Sequence, residues 1–435
     1  MLINSKKLIS LILLCCMLFS FGQITNAQTV DPLRLRVEAA LLVDGNSGKI
    51  LYEKNSNQPL ALASMTKMLT EYLILEQIKE NKFSWEDTTR ISDYAYKISQ
   101  NLSLSNVPLR PDQPYSVREL YEAMAIYSAN GATIALAELA AGTETEFVRL
   151  MNEKAKIFGL KNYRFVNSTG LNNKDLLGLH PAGGANEENT ASAADTALVA
   201  FRLISDFPEA LTISSIPRKT FRAGTIDAIK MDNWNWMLPD LVYAYEGMDG
   251  LKTGSTNLAG YCFTGTVKRD GLRLISVIMK SDSYATRFQE TKKLLDYGFA
   301  NFQMVDLFPA GFQSPDATEI RVTRGRESKV GIATEKPLKI LIKRGENELY
   351  QPIAKLQSSK ITAPVAKGQT VGRLVVGYRG EQDYKYLTAE GASKEEVPLV
   401  TISEVRKAGF FRRIIQSMGY FFSWLGDKIS NLFSK

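Results

Sequence analysis

Two predicted β-hairpins, one near each end of a long helical region, most constrain the fold of this chain. The second hairpin consists of two apolar runs, 260–267 and 272–279, joined by a four-residue turn. A helical segment, 285–299, follows it. The first hairpin pairs 39–44 with 49–52 across a Gly-Asn-Ser-Gly turn. Strands at both ends with helices between them predict an α+β sheet-and-helix domain.

Four segments between the hairpins have helical spacing and contribute the helices of this domain. They are 63–79, 117–126, 132–141 and 191–204.

The sequence pattern changes near Gln303. Short alternating runs, such as 319–322 and 338–342, recur up to Ile402 with turn residues between them. This pattern predicts a small all-β domain at 304–402, after a main domain at 28–303.

The N-terminus has the three parts of a secretory signal peptide. Lys6 and Lys7 precede an apolar run at 8–21, and a polar stretch then ends at Ala27. We expect cleavage after Ala27 and a secreted chain. The alternative, a retained anchor, is disfavoured because the run is too short for a bilayer span.

The number and positions of the cysteines are those expected of an exported protein without disulfide bonds. Cys15 and Cys16 lie in the signal segment, so the mature chain keeps only Cys262, which sits in an apolar run and is expected in the core.

The C-terminal segment, 403–435, predicts an amphipathic membrane-anchoring helix. From Phe411 to Phe433 the apolar residues fall on one arc, and Arg412 and Arg413 lie on the opposite side. A basic amphipathic helix with aromatic residues is typical of a membrane interface. The alternative is a helix packed on the protein's own body. Because polar residues interrupt the apolar ones, we expect it to lie on the membrane surface rather than span the bilayer.

Charge and composition narrow the possible partners. The net charge is +7, and signal cleavage would remove Lys6 and Lys7 and leave +5. Such a charge suits an anionic wall or membrane surface. Basic and acidic residues are interspersed, so we predict no nucleic-acid partner.

A single histidine, His180, limits the chemistry. A zinc site has little support, and we predict no metal and no cofactor. A Ser–His–Asp triad would have to include His180. Lysine is therefore the expected partner of a serine nucleophile.

Ser64-Met65-Thr66-Lys67 supplies such a pair at the start of a predicted helix. Residues three apart lie on one helix face, so hydroxyl and amine can meet. An activated serine needs a nearby base, and lysine is a base only when neutral. Burial and a second nearby cation both favour the neutral amine.

Two further motifs follow in order. Ser128-Ala129-Asn130 lies between two apolar helices, and Lys252-Thr253-Gly254 precedes the strand that begins at 260. Lys252 is a candidate for the second cation beside Lys67. An exposed strand beside a serine can pair with an extended peptide. The order S-x-x-K, S-x-N, K-T-G is the signature of penicillin-recognising serine enzymes.

With these motifs the chain resembles the D-alanyl-D-alanine carboxypeptidases, low-molecular-mass penicillin-binding proteins of the Gram-positive type. The resemblance covers nearly the whole mature chain and includes the stretches 63–68, 165–171 and 249–256. It implies a β-lactamase/transpeptidase-like domain, a small β domain and a membrane anchor. It also implies a cell-wall enzyme whose partners are peptidoglycan stem peptides ending in D-Ala-D-Ala, with β-lactam antibiotics as covalent inhibitors.

The resemblance implies roles at the matching positions. Ser64 would be the acylated nucleophile and Lys67 its base, and Ser128 would relay a proton to the leaving D-alanine. The remaining positions would bind substrate through side chains or the oxyanion hole: Asn130, Lys252, Thr253, Gly254, Ser255 and Arg287. An arginine suits a terminal carboxylate, although Arg287 is alternatively a surface charge on a helix.

His180, Glu187 and Glu188 lie in a glycine-rich loop that we expect at the rim of the site, with a structural or solvated role for His180. The carboxylates are candidates for orienting an anionic substrate, or simply part of a solvated loop.

Two other functions stay open. A serine β-lactamase shares the three motifs, but the region of 163–168 has no glutamate to activate water. A non-catalytic wall-binding protein is disfavoured because no polar motif residue is missing.

Overall fold

The computed structural model describes residues 31–380 and 384–409. The chain divides into two units at Leu35. In the described part of the first unit, the Asp31 carboxylate accepts hydrogen bonds from the backbone N–H groups of Leu33 and Leu35, both at 3.0 Å. All elements below belong to the second unit. The signal peptide predicted at 1–27 lies outside the described residues.

The strands are, in chain order, β1 (Val37–Asp44), β2 (Ile50–Lys54), β3 (Leu60–Ala61), β4 (Thr88–Thr89), β5 (Tyr115–Ser116), β6 (Tyr163–Arg164), β7 (Thr190–Ala191), β8 (Arg218–Phe221), β9 (Ile229–Asp232), β10 (Met248–Thr256), β11 (Gly260–Arg269), β12 (Leu272–Ser281), β13 (Phe302–Phe308), β14 (Glu319–Thr323), β15 (Lys329–Thr334), β16 (Leu338–Lys343), β17 (Tyr350–Leu356), β18 (Lys360–Thr362), β19 (Thr370–Tyr378) and β20 (Glu396–Thr401). The α-helices are α1 (Lys67–Lys79), α2 (Asp93–Ser99), α3 (Val117–Tyr127), α4 (Asn130–Ala141), α5 (Glu144–Phe158), α6 (Ala193–Asp206), α7 (Ala210–Ser214), α8 (Tyr284–Asn301) and α9 (Ala389–Ser393). Short 3-10 turns lie at Ala63–Thr66, Asn173–Asp175 and Asn347–Leu349.

The central sheet has the order β10-β11-β12-β1-β2 and is antiparallel throughout. The two predicted hairpins meet in it, because β1 pairs with β12 and aligns Val43 with Ile275. The expected α+β class is confirmed. Helices α2 and α5 and the short helices α7 and α9 were not predicted.

Side chains alternate along each strand, so both faces of this sheet carry apolar residues. Helices cover each of these faces. Leu41 and Val277 point to the large core shared with helices α1 and α3 to α6. Leu42 and Leu274 point to the other face, where Gly298 of α8 brings the helix backbone close. A Cβ at 298 would lie 2.6 Å from Leu274 and 2.8 Å from Leu42.

The C-terminal region is built from β-strands, as expected, and also contains the short helix α9 and one 3-10 turn. It contains a six-stranded sheet, β17-β19-β20-β15-β14-β18, and the pair β13–β16, around a separate apolar core. The predicted boundary between 303 and 304 falls inside β13.

The start of the predicted anchor helix requires a correction. Residues 403–409 belong to the β-rich region, because Val405 is 1% exposed in its core and exchanges two 2.9 Å backbone hydrogen bonds with Val365. The Ala408 N–H also donates to the Arg324 carbonyl at 2.8 Å. The rest of the predicted helix, 410–435, lies outside the described residues. Within 31–380 and 384–409, no helix has the length and apolarity that crossing a bilayer requires.

The β-rich region also pairs with the edge of the central sheet. The Ile50 N–H donates to the Lys385 carbonyl at 2.8 Å, and the Leu387 N–H donates to the Gly48 carbonyl at 2.9 Å. A short segment before α9 therefore pairs with the outer edge of the sheet through an isolated bridge between Tyr386 and Lys49, next to the start of β2.

Candidate active site

The Ser64–Lys67 pair lies where a 3-10 turn, Ala63–Thr66, runs directly into α1. The three-residue spacing puts the Lys67 Nζ 2.9 Å from the Ser64 Oγ. Lys67 is fully buried, whereas Ser64 is half-buried at the bottom of a cavity. The predicted contact between the hydroxyl and the amine is therefore present.

Two further oxygens surround the Lys67 amine. The Asn130 Oδ1 lies 2.8 Å from Nζ, and the Thr169 carbonyl oxygen lies 2.7 Å from it. Neither oxygen can donate a proton, so each must accept an N–H. The charged ammonium donates to all three oxygens, including the Ser64 Oγ. The neutral amine has only two N–H groups, which these two oxygens occupy, so its lone pair faces the Ser64 hydroxyl.

The electrostatic surroundings favour this neutral state. Burial holds the pKa of Lys67 well below its usual value of 10.5, and the positive charge of Lys252 lowers it further. The charge of Glu71 acts in the opposite direction.

The loop that carries the Thr169 carbonyl is held by polar side chains. The Asn167 Oδ1 accepts from the Thr169 N–H at 3.1 Å and from the Gly170 N–H at 2.7 Å. Gly170 has φ +82°, and a Cβ there would lie 1.8 Å from the Ala63 carbonyl oxygen. Glycine thus allows the loop to pack directly against the turn that carries Ser64.

Ser128 and Asn130 lie where α3 ends and α4 begins. Ser128 adopts the left-handed conformation, with φ 62°, and its Oγ is buried without a hydrogen-bond partner among the described residues. The Asn130 Nδ2 donates to the Ser105 carbonyl at 3.0 Å. The Asn130 amide is therefore held from both ends, while the Ser128 hydroxyl is free for a substrate.

The K-T-G motif lies inside β10, whereas the sequence placed it before a strand. This strand forms one edge of the central sheet, where Thr253 is opposite Phe263 of β11. The face of this strand to which a side chain at Gly254 would point packs against the Ser64 turn. A Cβ at Gly254 would lie 2.6 Å from the Leu62 carbonyl oxygen and 3.1 Å from the Met65 backbone nitrogen. Glycine here is required by the close approach of the two backbones.

Lys252 and Arg287 place positive charge behind this strand. Burial lowers the pKa of Lys252 to about 8 and that of Arg287 to about 10. The Arg287 Nη1 lies 3.5 Å from the carbonyl oxygens of Gly254 and Cys262, and its Nε has no hydrogen-bond partner among the described residues. Arg287 is 1% exposed, so it is not a surface charge.

These groups converge on a cavity of about 340 Å³. Of the nine predicted site residues, seven line it and only Lys67 and Lys252 lie behind the wall. The lining residues are Ser64, Leu102, Ser103, Leu104, Ser105, Tyr127, Ser128, Asn130, Leu171, Trp234, Thr253, Gly254, Ser255, Tyr284 and Arg287.

An aromatic wall of this cavity was not predicted. The Trp234 ring stacks near Tyr127, with centroids 6.2 Å apart, and its Nε1 donates to the Tyr127 carbonyl at 3.1 Å. No local pattern pointed to this wall, because Trp234 and Tyr127 are distant in sequence.

Glu71 is a second residue that the sequence reasoning missed. It lies four residues after Lys67 on α1, is buried, and accepts a 3.1 Å hydrogen bond from the Tyr121 hydroxyl. Burial raises its pKa to about 7. The i,i+4 spacing from Lys67 was the signal available in the sequence.

The loop residues near 180 do not line the cavity. Glu187 forms an ion pair with Arg164 at 2.7 Å, and Glu188 accepts a 2.7 Å hydrogen bond from Thr256 at the end of β10. Cys262 is fully buried, as expected, and burial raises its pKa to about 11.

Two family matches cover most of the chain. Residues 26–283 match the family described as D-alanyl-D-alanine carboxypeptidase, peptidase family S11. Residues 302–407 match the family described as the C-terminal domain of penicillin-binding protein 5.

Curated relatives match over nearly their full length. The D-alanyl-D-alanine carboxypeptidase DacF of Bacillus subtilis is 32% identical over 425 residues, which cover 95% of this chain and 98% of DacF. DacC of Escherichia coli is 32% identical over 418 residues, which cover 95% of each chain.

Solved structures are similar as well. PBP3 of Streptococcus pneumoniae, described as a peptidoglycan synthesis regulatory factor, aligns with a TM-score of 0.74 and 32% identity over 85% of this chain and 99% of its own. Penicillin-binding protein D2 of Listeria monocytogenes, solved with ampicillin bound, has a TM-score of 0.51 and 32% identity over 61% of this chain and 99% of its own.

Proposed function

The chain belongs to the D-alanyl-D-alanine carboxypeptidase family, and from this membership we propose that it works through an acyl-enzyme on Ser64. It is a serine-type D-Ala-D-Ala carboxypeptidase and a penicillin-binding protein. The family match favours this activity over a β-lactamase and over a non-catalytic wall-binding protein.

In the first step the Ser64 hydroxyl gives its proton to the neutral Lys67 amine, and its oxygen attacks the carbonyl carbon of the penultimate D-alanine. The backbone N–H groups of Ser64 and Ser255 would bind the resulting oxyanion. The proton would then pass from Lys67 to the leaving nitrogen through the Ser128 hydroxyl, which has no partner among the described residues and would bridge the two groups once substrate is bound. The C–N bond breaks, and D-alanine leaves as an amine.

In the second step water attacks the ester carbonyl of the acyl-enzyme. The water gives up a proton to the same Lys67–Ser128 pair, and the Ser64 oxygen leaves and recovers a proton. The shortened peptide departs with a new carboxylate, and the enzyme returns to its starting state.

Substrate binding follows from the β10 edge and the charge behind it. An extended peptide can add to the free side of β10 by backbone hydrogen bonds. Its terminal carboxylate would lie near the Thr253 hydroxyl, where the buried charges of Lys252 and Arg287 attract an anion. A cross-linked or amidated C-terminus would lose this attraction.

The observation that carries the proposal is the set of three contacts at Lys67 Nζ. Asn130 and Thr169 each accept a hydrogen bond from Lys67 Nζ, and burial beside Lys252 lowers the pKa of this amine. In the neutral amine the lone pair is then aimed at the Ser64 hydroxyl.

The test is intact-protein mass spectrometry with and without benzylpenicillin. We expect one added penicillin mass on the wild type that persists for minutes, and none on Ser64→Ala. Ser103→Ala, a serine on the same cavity wall, is the matched control and should still acylate. An adduct on Ser64→Ala would refute the assigned nucleophile, and turnover of the wild-type adduct within seconds would favour a β-lactamase.

The substrates and location extend the same proposal. The chain would act on peptidoglycan stem peptides ending in D-Ala-D-Ala and be inhibited covalently by β-lactams, which the ampicillin complex of the Listeria protein supports. It would be secreted after cleavage at Ala27 and held on the outer face of the membrane by its C-terminal helix. The same mass spectrum tests the export step, because the mature chain should begin at Gln28.

A further inference from the structure

A second cavity, of about 280 Å³, lies where the β-rich region meets the start of β2. None of its lining residues belongs to the active site. They are Lys49, Tyr350, Val375, Val376, Tyr378, Tyr384, Tyr386 and Glu395. A junction between two folded regions is a common place for a small-ligand site, and the volume is just below the usual range of about 300–1,000 Å³.

Four tyrosines give this cavity an aromatic lining. The ring centroids of Tyr350 and Tyr378 are 4.9 Å apart, and those of Tyr378 and Tyr384 are 5.4 Å apart. Each ring offers an apolar face together with a hydroxyl at its edge.

The charged groups of the cavity compensate each other. The Lys49 ammonium donates to Glu395 Oε1 at 3.4 Å and to the Leu341 carbonyl at 3.1 Å, and it lies 4.5 Å from the Tyr384 ring centroid. The Tyr386 hydroxyl donates to the other Glu395 oxygen at 2.8 Å. A cation would meet the ammonium and an anion would meet the carboxylate, so the cavity favours a neutral ligand.

One polar group in the lining is unused. Tyr350 is 6% exposed, and its hydroxyl has no hydrogen-bond partner in the part of the chain that the structure describes. Burial raises the pKa of this hydroxyl, so it stays protonated and can donate. A buried hydroxyl without a partner costs stability, which is offset when a bound molecule supplies the partner.

We propose that this cavity binds a neutral sugar ring. A sugar presents two faces of C–H groups, which pack on aromatic rings, and a rim of hydroxyl and acetamido groups, which pair with Tyr350 and Lys49. Aromatic faces, compensated charges and a free hydroxyl are the features that such a ligand uses.

The natural source of the ring is an N-acetylated unit of the glycan that carries the stem peptides. This part of the inference rests on the proposed function. Binding there would hold the enzyme on its polymeric substrate through a site separate from the catalytic cavity.

The test is a ligand-detected NMR titration of the full-length chain with tri-N-acetylglucosamine as the probe. Benzylpenicillin is kept in excess throughout, so that the active site stays acylated and cannot contribute. We expect saturable binding to the wild type and a Kd raised about two- to tenfold in Tyr350→Phe, which removes only the unpaired hydroxyl. Tyr384→Ala, which removes one aromatic face, should abolish the signal.

Tyr245→Phe is the matched control, because its hydroxyl bonds Asp296 and does not line the cavity. It should bind like the wild type. An equal Kd in Tyr350→Phe and wild type would mean that the ligand does not pair with this hydroxyl, and it would overturn the inference. So would the absence of binding to a wild type that still releases D-alanine from a free peptide, which leaves the proposed function intact.

Discussion

Removing the charge of Glu71 should move the whole pH profile of the enzyme to lower pH. Glu71→Gln keeps the size of the side chain and an oxygen that can accept the Tyr121 hydrogen bond. It removes a buried negative charge that favours the protonated forms of both Lys67 and Lys252. Both pKa values should therefore fall.

The two limbs of the profile follow from the two lysines. Lys67 must be neutral to accept the serine proton, so activity rises as the pH passes its pKa. Lys252 must be charged to attract the substrate carboxylate, so activity falls as the pH passes its pKa of about 8. Since both pKa values fall in Glu71→Gln, both limbs move in the same direction.

The size of the shift follows from Coulomb's law. One helical turn separates the side chains of Glu71 and Lys67 by roughly 6 Å, which gives about 3 kcal/mol at an effective dielectric constant of about 20. This corresponds to about 2 pH units. Because burial raises the pKa of Glu71 to about 7, this carboxyl loses its charge below that pH, and the shift is smaller wherever it does so. We therefore expect a shift of about one to two units.

The assay is kcat/KM for D-alanine release from a synthetic peptide ending in D-Ala-D-Ala, from pH 5 to pH 10. Glu76→Gln is the control, because it makes the same change further along α1, at a residue that pairs with Lys154 at 2.6 Å. It should leave both limbs in place. A uniform loss of rate in Glu71→Gln with unmoved limbs would show a packing role and refute the electrostatic argument.

Three other outcomes can be measured. Arg287→Gln should lower kcat/KM about 10- to 100-fold, mainly through KM, because a buried charge that attracts the carboxylate is lost. Arg287→Lys keeps the charge and should lose less. Equal losses in the two variants would contradict this role. Gly170→Ala should lower the free energy of unfolding by about 1–3 kcal/mol from its backbone conformation alone, with more from the contact at Ala63, and an unchanged Tm would contradict the close packing seen there. A chain truncated after Gly409 should leave the membrane fraction and remain active; if it stays in that fraction after signal cleavage, the anchor is elsewhere.

Local patterns predicted much of the site. The Ser64–Lys67 contact depends only on helical spacing, and it is present as predicted. The burial of Arg287 was not predictable, because it depends on how α8 packs against β10 and β11. The sequence placed K-T-G before a strand because Asp249-Gly250 is typical of a turn, whereas sheet pairing and close packing decide the conformation of this stretch.

In the fold, too, local features were predictable from the sequence and long-range pairings were not. The α+β class and the hairpins followed from apolar periodicity, but the strand order of the β-rich region depends on pairings between residues far apart in sequence. Helix α5 was missed although Thr143 caps its start and Gly159 follows its end, both with suitable geometry. These two capping residues were the signal for α5 that the sequence contained. Val405 reads as part of a C-terminal helix until its pairing with Val365 is seen.

The short segment before α9 that pairs with the start of β2 affects the solubility of the protein. A sheet has two edges, and each exposed edge can recruit strands from other molecules and start aggregation. Here backbone pairing at Ile50 and Leu387 covers the beginning of one edge, and the ion pair of Glu53 with Lys385, at 2.9 Å, adds charge beside it. The β10 edge has no such pairing among the described residues, and it is the edge at which the peptide substrate would add.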